Sequence, residues 1–226
     1  MLNGKKAPGK GGDSFKREVM EPGSYPGRLV QLIDLGLQEQ RPYLGQPKAP
    51  INEVIFTYEF SDEFMKDLEG NVLPDKPRFL SETLPLHNLV AEKAKSTQRY
   101  KALDPEEVHD GEFASLLSTP CVITVIIDRY KDKKTGADKV IEKVANISPM
   151  RKKEADKLTP LINPTKLFDL DSPDVEVFAS LPDWIKDKIR SNLNYNGSVL
   201  QGLLKEKPVA VAPKEESPVP SDERPY

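Results

Sequence analysis

Five β-patterned runs with one helical stretch between the third and fourth constrain this chain more than any other feature. The first run, 25–37, is apolar, with Pro26 and Gly27 near its start and Gly36 placed for a bulge or sharp bend. A linker over 38–50 holds three prolines and Gly45. In the second run, 52–60, Val54, Phe56, Tyr58 and Phe60 share one face and Glu53, Ile55, Thr57 and Glu59 the other. Residues 61–76, with Glu69-Gly70-Asn71 and Pro74, read as a long turn or hairpin excursion. The third run, 78–86, sets Leu80, Glu82, Leu84 and Leu86 against Phe79, Ser81 and Thr83, and Pro85 puts its end at an edge or bend. Residues 88–100 turn helical, and Asp104-Pro105-Glu106-Glu107 reads as a capped start of a second short helix toward Leu117. Runs 121–128 and 139–147, joined by a loop containing Gly136, form a hairpin.

That order predicts an all-β fold with helical additions: a five-stranded OB-fold-like barrel with a helix between strands three and four, a C-terminal docking extension and disordered termini. In 226 residues, 37% hydrophobic and 31% charged with 21 prolines, a core is affordable over part of the length only. We divide the chain into a flexible basic arm at 1–20, a barrel at 21–150, an extension at 151–203 and a Pro-rich, mildly acidic tail at 204–226. The arm carries Lys5, Lys6 and Lys10 among glycines. In the extension, Leu167-Phe168 and 175–178 are expected to dock on the barrel. Ser180 is expected to cap a short helix through Ile189, with Trp184 as its anchor.

Catalytic chemistry finds little support. Cys121 sits in an apolar run and reads as a core residue; as the single cysteine it excludes a disulfide within the chain. His87 and His109 lack spaced metal-ligating partners, and the glycines of 4–12 lack phosphate-loop spacing. Asp169, Asp171 and Asp174 surround Pro173 in what reads as a polar loop, not a magnesium site. No enzyme activity, metal or cofactor is therefore expected. Neither a signal peptide nor an apolar run long enough to cross a membrane is found.

Binding chemistry finds more. The formal net charge is -3, yet 129–157 holds ten Lys or Arg against five Asp or Glu. Cations spaced along a sheet suit the phosphates of a single strand, and exposed rings suit its bases. In an OB-fold the loops joining strands one to two and four to five, with the face of strands two and three, surround the ligand groove. The candidate contacts are therefore Arg28, Arg41, Tyr43 and Lys48 early in the chain, Arg78 and Phe79 on strand three, and Arg129, Tyr130, Lys131, Lys133, Lys134 and Lys139 on the hairpin. Asp222, Glu223 and Tyr226 form a candidate partner-binding end that competes with nucleic acid for the cationic groove or docks on a partner.

The chain resembles the bacteriophage single-stranded DNA-binding proteins of the OB-fold type. The resemblance lies in 23–36 (Gly-Ser-Tyr-Pro-Gly-Arg-Leu-Val-Gln-Leu-Ile-Asp-Leu-Gly), in Thr57-Tyr58-Glu59-Phe60, in Ala145-Asn146-Ile147-Ser148-Pro149, in Leu167-Phe168-Asp169-Leu170-Asp171, and in 181–189. It extends over about 23–195 and consists of several weak matches in order. It implies sequence-tolerant binding of single-stranded DNA in phage replication, recombination or repair, without a cofactor, in the host cytoplasm. The implied partners are a phage polymerase, helicase or recombinase, reached through the tail; the tail of this chain is less acidic than such ends. The alternative is a scaffold module of a phage replication complex that makes no direct nucleic-acid contact.

Overall fold

Alternating apolar residues build a curled antiparallel sheet whose concave side is one core. The computed structural model describes residues 18–132 and 135–205. Its strands are β1 (Gly23–Gln38), β2 (Ile51–Lys66), β3 (Val72–Pro85), β4 (Pro120–Lys131), β5 (Asp138–Pro149) and the short β6 (Lys166–Phe168). Helices α1 (Lys95–Leu103), α2 (Lys152–Ala155), α3 (Val175–Ser180), α4 (Asp183–Arg190) and α5 (Val199–Leu204) complete the chain. The strand order is β3-β2-β1-β4-β5, with β6 pairing parallel to β1. The result is mostly β, a five-strand antiparallel half-barrel compatible with an OB-like barrel.

β1 bridges the two halves, pairing with β4 at its start and with β2 along its length. Gly27 sits where both ladders overlap, opposite Phe60 and Cys121. A Cβ there would lie 2.4 Å from the Glu59 carbonyl oxygen and 2.5 Å from Ile123 Cδ1, so only glycine lets the three strands approach. The expected bulge is present at Gly36 (φ +73°), and a second one at 29–31 lacks any glycine signal. Val54, Phe56, Tyr58 and Phe60 all enter the barrel core, with Leu80, Leu84, Cys121, Ile123 and Ile147. Two arginines close the seam between β3 and β5. Arg78 Nη2 donates to Glu142 at 2.6 Å. The buried Arg99 of α1 donates to both oxygens of Glu82, to Asn146 Oδ1 and to the Ala145 carbonyl.

Several expected boundaries move. The excursion at 61–76 is a continuation of β2 and β3 around a tight turn at 67–71, where Asp67 accepts from the backbone of Glu69 and Asn71. The helix expected over 88–100 begins only at Lys95. Asn88 Oδ1 accepts from the Val90 N–H, drawing the chain into turns first, and Val90 is exposed. No α-helix follows Asp104. Its carboxylate accepts from Val108, His109 and the Tyr100 hydroxyl, too far along for an N-cap, and positive φ at Glu107 and Asp110 ends any helix, leaving a 3₁₀ turn at Phe113–Leu116.

The extension makes a second core on the outside of the barrel. Ile33 and Leu35 of β1 and Ile55 of β2 pack against Phe168, Phe178, Leu181, Ile185, Ile189, Tyr195 and Leu200. Of the segments expected to dock, Phe168 and Phe178 are buried in this core, whereas Leu167 and Val175 are exposed. Ser180 closes α3 rather than capping α4, whose N-cap is Pro182. Trp184 is not the anchor. At 60% exposed it faces outward, because Ile185 and Ile189, four residues apart, form the buried stripe. Within 1–20, Met20 is buried in the barrel core and its N–H donates to Glu142, so the chain is tied down from there on. Lys5, Lys6, Lys10 and the tail residues Asp222, Glu223 and Tyr226 lie outside the described residues. No helix among the described residues is long and apolar enough to cross a membrane.

Candidate functional site

The loop joining β1 to β2 folds back into a miniature hairpin. Tyr43 and Gln46 exchange both backbone hydrogen bonds, at 2.9 and 3.0 Å, around Leu44 and Gly45, both with positive φ, the pattern of a primed two-residue turn. This turn holds the Tyr43 ring out in solvent at 64% exposure, with Lys48 Nζ 5.1 Å from its centroid and Arg41 exposed two residues before it.

On β3, Phe79 is 61% exposed while its neighbours Arg78 and Leu80 turn inward. It lies opposite Glu59, eight residues along β2 from the first loop, about 25 Å at the rise of a strand. Beyond the seam, β4 and β5 project as a two-stranded ribbon past the start of β1, which first pairs at Val125. Tyr130, 46% exposed, sits opposite Lys139 near the ribbon's end, with Arg129 and Lys131 exposed beside it. Lys139 is bound to Asp132, and Lys143 to Asp128. Lys133 and Lys134 lie outside the described residues.

Two expected contacts are used inside the protein. Arg28 donates to the Ser118, Leu158 and Thr159 carbonyls, fastening the extension to the barrel. Arg78, paired with Glu142 on side chains 11% and 5% exposed, pins the seam. The outward face of β2, expected to floor an open groove, is covered by the chain itself. Ile55 lies in the second core, and Glu59, 3% exposed, accepts from the Ile162 N–H (2.7 Å), the Asn163 N–H (3.2 Å) and Asn163 Nδ2 (2.6 Å). A buried carboxylate saturated by three donors is a clasp, and its donors lie a hundred residues away.

A concavity of about 590 Å³ lies between β1, β6 and the extension, lined in part by Asp34, Asp169, Asp171, Glu112 and Asn192. Burial pushes the Asp34 carboxyl up, opposed by the Gly36 and Leu170 N–H groups and assisted by Asp169 and Asp171. Asp174 is occupied as the N-cap of α3, accepting from Glu176 and Val177. Among the described residues no group of three or more His, Cys, Asp or Glu could hold a metal ion. Burial pushes the Cys121 thiol up to about 12, leaving it a protonated core residue. Tyr43, Phe79 and Tyr130 line neither this concavity nor the two smaller ones, at 18–25 with 63–78 and between 24–26, Val122 and 150–158. The three rings are thus separate exposed stations spread from one end of the barrel to the other. No protein family, no curated protein and no solved structure gives a match to this chain.

Proposed function

We propose that this protein binds single-stranded DNA with little regard to sequence, using exposed rings for bases and nearby cations for phosphates, in the manner implied by its resemblance to the phage proteins. The observation that carries the reading is the exposure of Tyr43, Phe79 and Tyr130 on rigid backbone. Exposed rings on strands and a tight turn have no packing role, and every base offers a face to stack on them. Arg41 and Lys48 accompany the first ring, and Arg129, Lys131 and Lys139 the last. Arg28 and Arg78 support the fold instead of contacting DNA.

Fluorescence anisotropy with a labelled oligo(dT) tests this. Tyr43→Ala, Phe79→Ala and Tyr130→Ala each weaken binding by about 1–3 kcal/mol, roughly 5- to 150-fold, and leave the salt dependence unchanged. Wild-type affinity in all three variants sinks the stacking assignment. A scaffold role is favoured by one observation, the outward Trp184 on an extension that also exposes Leu193, Val199 and Leu203. Partners captured with nuclease-treated protein, and lost on Trp184→Ala, would support that reading.

A further inference from the structure

The outer walls of the barrel differ in what they leave open. Over β1 and β2 the extension lies directly on the sheet, held by the Arg28 and Glu59 contacts and by β6. Over β4 and β5 the wall is bare: Ile126, Tyr130 and Ile141 are exposed large side chains with no partner element above them. On this wall Lys143 holds Asp128 and, at the ribbon end, Lys139 holds Asp132, so its charge is balanced there and cationic only at the α2 end. At the α2 end Lys152, Lys153 and Lys157 are exposed without an ion-pair partner among the described residues, while Arg129 and Lys131 alternate with Tyr130 and so belong to the other face of the ribbon. Arg151 is bound to Glu154.

α2 is held in place from both sides. Its N-terminal side follows directly from β5, and just beyond it Arg28 grips the Leu158 and Thr159 carbonyls. A concavity of about 410 Å³ lies where α2 meets the wall, with Pro26, Val122, Met150 and Leu158 as apolar lining and Ser24, Glu154 and Lys157 as its polar groups. From Tyr130 back to Val122 is eight residues on one face, about 26 Å of strand. An apolar recess beside a cationic station, with an exposed ring farther along the same face, matches a chain of bases joined by phosphates, and this length falls within the roughly 4 to 16 nucleotides that one such barrel engages.

We infer that single-stranded DNA runs along the outer wall of β4 and β5, from the exposed Tyr130 on the ribbon to Lys152, Lys153 and Lys157 at α2, seating a base in the recess beside Val122 and Met150. This path rests on the binding reading above and moves the strand away from the covered face of β2.

The test compares three full-length proteins on labelled oligo(dT) of about 20 nucleotides over a salt series: wild type, the combined Lys152→Ala, Lys153→Ala, Lys157→Ala variant, and a charge-matched control with Lys93→Ala, Lys95→Ala and Lys101→Ala on the α1 side. For single strands the logarithmic salt slope is about 0.7 per phosphate contact, so removing three contacts lowers it by about 2. The expected result is that loss in the α2 variant alone, with about tenfold weaker binding at low salt and an unchanged melting temperature. An α2 variant with the wild-type slope, or an equal loss in the control, overturns the path while leaving single-strand binding intact. Absence of binding by the wild type overturns both.

Discussion

Glu59 is a buried charge that depends on a distant part of the chain. Its charge is nearly out of water, and its stability depends on three donors at Ile162 and Asn163. Replacement by alanine leaves those two N–H groups and the amide without an acceptor, a loss of about 2–4 kcal/mol. We expect Glu59→Ala to lower the urea midpoint accordingly and to open 157–165 to limited proteolysis; an unchanged midpoint would contradict the clasp. Nothing local marked this role. In the alternation of β2, Glu59 takes the polar face, as a solvent-exposed residue would, and the signal separating the two cases lies in Asn163, a hundred positions on. The inward residues were legible because the period of a strand fixes their side. Trp184 was misread for the same reason that Glu59 was missed: size and polarity suggest a place, while the neighbouring Ile185 and Ile189 decide it.

At the scale of elements, the strands and the β4–β5 hairpin were legible from alternation and turn residues, whereas the helical segments were not. Asn88 and Asp104 spend their side chains on backbone N–H groups in ways that propensity does not weigh, and so move the start of α1 and remove the helix after it. The closing seam was equally hidden, since β3 and β5 are joined by side chains and not by a ladder. Arg78 and Glu142 form one half of it. Arg78→Met takes the guanidinium away from the buried Glu142 carboxylate, and we expect a lower folding stability in urea titrations, by up to about 3–5 kcal/mol. If Arg78→Met instead retains stability and loses DNA affinity, the residue is a contact and the seam assignment is wrong.

For the molecule as a whole, barrel and extension form two cores that share β1 and β2, one on each side of the same strands. That sharing covers one outer wall and leaves the other, with Tyr130 at one end and the α2 lysines at the other, as the open surface. A net negative chain engages a polyanion only through such a local concentration of cations. The direct measurement is the affinity of the intact protein for labelled oligo(dT) across a salt series. With Lys152, Lys153 and Lys157 on phosphates together with cations beside the exposed rings, binding is tight at low salt and log K falls linearly with log salt at a slope of about -2 or steeper. A flat response, or no binding at low salt, contradicts the account.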